Sequence, residues 1–238
     1  MNQDKPHSSW PRQTWSRWPI LSAAALLVAL AACTPAATTT TTTTTSLATS
    51  TTVATATTVS SAALAEAVNV ATRFVEAYEA NDADKAVPYL APKVPSEFGG
   101  SVEGLRLQIR FNEAQGFKHL FDLCEVQETS PSGTTVRCPY AYHGIRSDEM
   151  ELGPYSGSWY DLIVLDDRIV SAEDHIVFLE NGFSDQVWEP FAAWVAETYP
   201  EDVEIMYTPG QTNVRLTEES IALWEERSRE YVEFRRSQ

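Results

Sequence analysis

Fifteen of the 27 residues from 34 to 60 are threonine, eight of them in one unbroken run from Thr38 to Thr45. This tract has no charge, no aromatic ring and no hydrophobic period. It cannot bury enough apolar area to offset the entropy of ordering it. Any core must therefore come from residues 61–238, a length that suits one core with a terminal extension. The tract itself reads as a spacer, reaching at most ~90 Å when fully stretched. Thr-rich stalks are also substrates for O-glycosylation, a property that composition alone leaves open.

The residues before the tract have a different character. Lys5, Arg12 and Arg17 stand against Asp4, and Ile20 to Ala32 are apolar or small except for Ser22. A positive segment followed by a short apolar one is the layout of an export signal. The apolar run is shorter than the ~20 residues needed to span a bilayer. Leu30-Ala31-Ala32-Cys33 resembles the lipobox of bacterial lipoproteins, in which the cysteine receives diacylglycerol and becomes the first residue of the mature chain. The resemblance implies a lipid anchor on Cys33 and an extracytoplasmic location at the membrane. Ala29-Leu30-Ala31 also fits an ordinary cleavage site, which would make the protein secreted. The expected organisation is a signal over 1–32, an anchored linker over 33–62, a folded domain over 63–180 and a helical extension over 181–238.

Lipid on Cys33 would leave two of the three cysteines, Cys124 and Cys138, in a compartment that permits disulfides. Charge narrows the partners. The first 33 residues are net +2, so −16 for the whole chain leaves −18 for residues 34–238. Such a domain repels phosphate backbones, which excludes nucleic acid, and repels anionic headgroups, which leaves membrane attachment to the anchor.

Within the domain, Leu64, Val68, Ala71, Val75 and Tyr78 recur at helical spacing beside Phe74. Asn81-Asp82 offers a stop and a new N-cap before a short helix with Val87, Tyr89 and Leu90. Ser101 caps a third helix carrying Val102, Leu105 and Ile109. Strand texture follows in four segments: 117–128, 134–143, 155–165 and 168–179. Helices first and then a meander predict an α+β fold. If Cys124 faces Cys138, Val126 falls opposite Val136, Glu125 opposite Arg137 and His119 opposite His143, around a five-residue loop. Asp166-Asp167 is the expected turn between the last two strands.

The stretch from Arg73 to Ala86, RFVEAYEANDADKA, is similar to the opening of SnoaL-like proteins of the nuclear-transport-factor-2-like superfamily. The resemblance covers about residues 63–180 and implies a cone, a curved antiparallel sheet around three helices with a pocket inside. It implies no single activity, because this cone hosts isomerases, dehydratases, cyclases and non-catalytic proteins. Where isomerases of the superfamily carry a carboxylate base, this chain has only Glu97.

The chemistry-bearing candidates are His119, His143, His175, Asp161, Glu173, Tyr140, Tyr142 and Trp159. Asp161 with one of the three histidines would make an acid–base pair in an apolar pocket. Tyr78, Tyr140, Tyr142, Trp159 and Trp188 are the expected pocket rings. No nucleophile elbow, zinc motif, redox cysteine pair or phosphate loop occurs, so no cofactor or metal is expected. The leading expectation is non-enzymatic binding of a small apolar ligand or an envelope protein. An acid–base isomerase or dehydratase and a pure interaction module are the alternatives, and a homodimer is left open. In the extension, Trp188, Phe191, Trp194 and Val195 form one stripe and Ile221, Trp224, Tyr231 and Val232 another, as core packing, a lid or a partner surface.

Overall fold

A computed structural model describes residues 60–209 and 213–238. The expected signal, Cys33 and the threonine tract lie outside the described residues. The described chain is α+β, with six α-helices and an open five-stranded antiparallel sheet. No described helix is long and apolar enough to cross a membrane.

Helix α1 (Ser61–Glu79) begins where Ser60 accepts a hydrogen bond from the Ala63 amide. Its deepest residues are Val70, Ala71, Phe74, Val75 and Tyr78, whereas Leu64 and Val68 are only half-buried. The buried stripe is thus rotated slightly from the expected one. Asn81 takes a positive φ of 54° and ends the run, and Asp82 caps α2 (Ala83–Ala86) by accepting from the Lys85 amide. Ser101 caps α3 (Val102–Ala114) in the same way, through the Gly104 amide. Gly104 is required there, since a Cβ would stand 2.1 Å from the Gly99 carbonyl oxygen.

The sheet comprises β1 (Lys118–Phe121), β2 (Glu125–Ser130), β3 (Gly133–His143), β4 (Tyr155–Leu165) and β5 (Arg168–His175). Both β1 and β2 pair with one edge of β3, and β4 and β5 follow on the other. The expected single first strand is therefore broken at residues 122–124. Pro139 supplies the reason. Its carbonyl accepts from the Asp122 amide, but it has no N–H to return. The Cys124–Cys138 disulfide forms, and Glu125 and Val126 face Arg137 and Val136 as expected.

Beyond that point the expected register is corrected twice. The pairing shifts after Val126, so Ser130 pairs with Gly133 and the turn has two residues, Pro131-Ser132, not five. Across the 122–124 break it shifts again, so His119 faces Tyr142 and His143 faces Lys118. Side chains alternate along a strand, so a one-residue slip sends them to the other face. His119 consequently points into the core and is not opposite His143. Asp166 and Asp167, with φ of 49° and 59°, make the expected two-residue turn of β4 and β5. β5 ends at His175 instead of continuing to Leu179. From there side chains replace the ladder, with Ser158 accepting from the Val177 amide and Tyr142 and Asn181 donating to the Val177 carbonyl.

One sheet face packs on α1 and on Phe98 through Val136, Tyr140, Tyr160, Leu162 and Ile169. The extension forms α4 (Glu189–Thr198), α5 (Val203–Met206) and α6 (Glu218–Arg236). Trp224 of α6 is fully buried, meeting Phe111 of α3 at 5.3 Å and Phe191 of α4 at 5.3 Å. Arg146, between β3 and β4, donates to the Ala114 carbonyl and to Ser228, tying α3 to α6. Both expected aromatic stripes are thus packed into one core with the domain before them.

Candidate functional site

The two faces of the sheet divide the candidate residues. On the outer face lie Arg137, Trp159, Asp161, Glu173 and His175, paired across β3, β4 and β5. Arg137 donates two bonds of 2.8 Å to Asp161, and the Trp159 indole adds one of 3.2 Å. These bonds, the Arg137 ones foremost, hold the Asp161 carboxyl below the usual carboxylate range. The His175 ring stacks on Trp159 at 4.7 Å, and its Nε2 stands 3.3 Å from Asp161 and 3.6 Å from Glu173. That spacing suits an ion pair, but Nε2 makes no hydrogen bond. Asp161 is a carboxylate committed to a guanidinium, a poor choice of base. His143 is committed as well. Its Nδ1 lies 3.1 Å from the Leu152 carbonyl, which makes it a donor there, and 3.2 Å from the Ser147 hydroxyl.

The inner face holds the other constellation. A cavity of about 140 Å³ opens between α3 and the sheet, walled by Tyr78, Phe111, Phe117, Tyr140 and Tyr160 and reaching Asp174. His119 also lines it, 5% exposed, with rings of Tyr78, Phe117, Phe121 and Tyr140 all within 5.3 Å. Its ring nitrogens have no hydrogen-bond partner among the described residues. Burial lowers its pKa from 6.5 to about 3, so the imidazole is neutral at physiological pH.

Asp174 occupies the rim of this cavity, beside the exposed Ile176. The Tyr140 hydroxyl donates to its carboxylate at 2.7 Å, and the Tyr160 hydroxyl lies against it. Solvent reaches Asp174, yet the surrounding rings desolvate the carboxyl enough to raise its pKa, with the tyrosine bonds opposing the rise. Burial also pushes the hydroxyls of Tyr78, Tyr140 and Tyr160 up, so they stay protonated donors. Asn112 donates to Tyr78 at 3.3 Å from the α3 side.

Of the expected pocket rings, Tyr78 and Tyr140 line the cavity. Tyr142 lies behind it, stacked on Phe117 at 5.2 Å. Trp159 is on the outer face, and Trp188 packs against Phe178 and Trp224 in the extension. Among the described residues, none beyond Ile176 lines the cavity. Asp174 is absent from the sequence-derived candidates. An unbulged hairpin closed by Asp166-Asp167 keeps Leu165 opposite Arg168, which would set Tyr160 opposite Glu173. A bulge at Val170 advances the register by one, so Asp174 faces Tyr160 and points inward. No group of three metal-ligand residues forms among the described residues. No protein-family model matches the chain, and no curated protein matches it.

Proposed function

We propose that the chain is an extracytoplasmic lipoprotein, anchored through Cys33, whose SnoaL-like cone binds a small amphipathic molecule in the cavity under α3. The observation that carries the reading is the cavity itself. Five aromatic side chains wall it, and His119, the tyrosine hydroxyls and Asp174 converge on it. The His119 ring nitrogens have no protein partner and open onto the cavity, so they are free to bond whatever fills it. The remaining space also separates this reading from a pure interaction module, whose cone its own side chains would fill.

The acid–base enzyme is a second reading, but not with Asp161 and a histidine. Asp161 lies on the outer face, and His119 is not within hydrogen-bond reach of a carboxylate. Asp174 favours it instead, as a carboxyl of raised pKa held by Tyr140 at the pocket rim. Native mass spectrometry of the protein extracted from its own membranes in mild detergent tests both. A retained small molecule, released on denaturation, supports binding. Conversion of that molecule on incubation with fresh protein supports the enzyme. A chain that carries nothing and binds nothing back from its host's extract refutes the pocket reading. Cys33→Ser should move the protein from the membrane to the soluble fraction; retention at the membrane would refute the anchor.

A further inference from the structure

The cavity has one feature that its size and its apolar walls do not require. Asp174 is the single charged group among its lining residues, and no lysine or arginine accompanies it. The only other ionisable nitrogen there, on His119, is neutral because burial opposes its charge. Its closest polar partners are tyrosine hydroxyls, and the basic side chain that acts on Asp174 is that of its chain neighbour His175. On the outer face the protein pairs one carboxylate, Asp161, with Arg137. Here it leaves one unpaired beside a set of aromatic faces.

Those rings form a stacked pair with a third ring set across it. Tyr78 and Tyr160 meet at 86° with centroids 6.5 Å apart, and Tyr140 lies over Tyr160 at 5.3 Å and 24°. Aromatic faces carry negative quadrupole charge and attract a cation within ~6 Å of the centroid, more strongly where water is excluded. A carboxylate at the rim adds a full charge of the same sign. The net −18 of residues 34–238 raises the local concentration of cations before any contact is made.

Volume limits the guest. A dry cavity of ~150 Å³ accepts benzene, whereas sites for drug-sized ligands run ~300–1,000 Å³. At about 140 Å³ this one encloses a single compact group. We infer that the cavity is a receptor for a small organic cation, an alkylated or quaternary ammonium group seated among Tyr78, Tyr140 and Tyr160 with its charge on Asp174. The inference rests on the proposal that the cavity binds a ligand, and names the chemical class of that ligand.

The test compares two probes of equal shape on the folded, disulfide-bonded protein by isothermal titration calorimetry. Choline carries the ammonium, and 3,3-dimethylbutan-1-ol replaces its nitrogen by carbon. Choline should bind saturably and at least tenfold more tightly than the neutral alcohol. Asp174→Asn should weaken choline at least tenfold and leave the alcohol unchanged. Equal affinity for the two probes would overturn the inference and keep the binding cavity. Binding of neither, with a neutral molecule retained from the host, overturns it while the binding proposal stands. Binding of neither with nothing retained overturns both. The comparison of probes on the unaltered protein holds even where the Asp174 variant fails to fold.

Discussion

His119 offers the sharpest test of the inner face. The perturbation is His119→Phe, which keeps a ring among Tyr78, Phe117, Phe121 and Tyr140 and removes the titratable nitrogens. Burial lowers the His119 pKa from 6.5 to about 3. Between those values the unfolded chain binds a proton that the folded chain refuses, so folding stability falls as pH falls. At ~1.36 kcal/mol per unit, the neutral ring's contribution at pH 7 that is lost by pH 3 is up to about 5 kcal/mol, and about 2 kcal/mol of it is lost between pH 7 and pH 5. Urea unfolding of both proteins at pH 7, 6 and 5 reads this directly. With a slope of ~2 kcal/mol per molar urea, the unaltered midpoint should drop about 1 M more than the variant's over that range. His143 and His175 are present in both proteins and cancel in the difference. Identical pH dependence of the two midpoints would refute the buried neutral imidazole, as would an NMR titration placing His119 near 6.5.

Three further outcomes follow from the same geometry. Asp174 has a raised pKa, so its contribution to stability is present below the unfolded value near 3.8 and is lost as pH rises through the folded value; Asp174→Asn should leave the thermal midpoint at pH 7 unchanged or higher. Trp224 is fully buried between α3 and α4, and Trp224→Ala should cost about 3–5 kcal/mol by denaturant unfolding; a loss below 1 kcal/mol would mean the extension is a detachable layer. Replacing Cys124 and Cys138 together by alanine opens a loop with a sequence separation of 14, and should cost about 3 kcal/mol, measured as a shift in the unfolding midpoint between variant and oxidised parent.

Caps and stripes carried most of the fold into the sequence. Asp82 and Ser101 each accept the backbone bond that starts a helix, and such caps are local chemistry, readable from a few residues. The Glu125–Arg137 and Val126–Val136 pairs followed from two cysteines and simple addition. The site was much less legible. Tyr78 and Tyr140 were evident as rings near the core, but which carboxylate and which histidine joined them depended on register, a property of two strands at once. Asp161 was the prominent acid because it sits by Trp159; on the folded sheet that proximity puts both outside.

Two single-residue irregularities assemble the pocket. The break at residues 122–124 turns His119 inward, and the bulge at Val170 turns Asp174 inward. Without the bulge Glu173 would face Tyr160 in place of Asp174, and without the break Leu120 would face Tyr142 in place of His119. The first irregularity has a chemical cause in Pro139, which cannot donate to the facing strand. The disulfide fixes it: Cys124 is the last residue of the break and Cys138 the one before Pro139, so the covalent link holds β2 at its own register while β1 slips past. Each inward turn costs stability, since one desolvates an imidazole and the other a carboxylate, and their pH dependences run in opposite directions. A sheet shaped only for packing would keep both side chains on its wet face. That both face the same cavity, His119 within it and Asp174 at its rim, through separate local defects, is the physical reason to look for function there rather than at the better-satisfied Asp161 network.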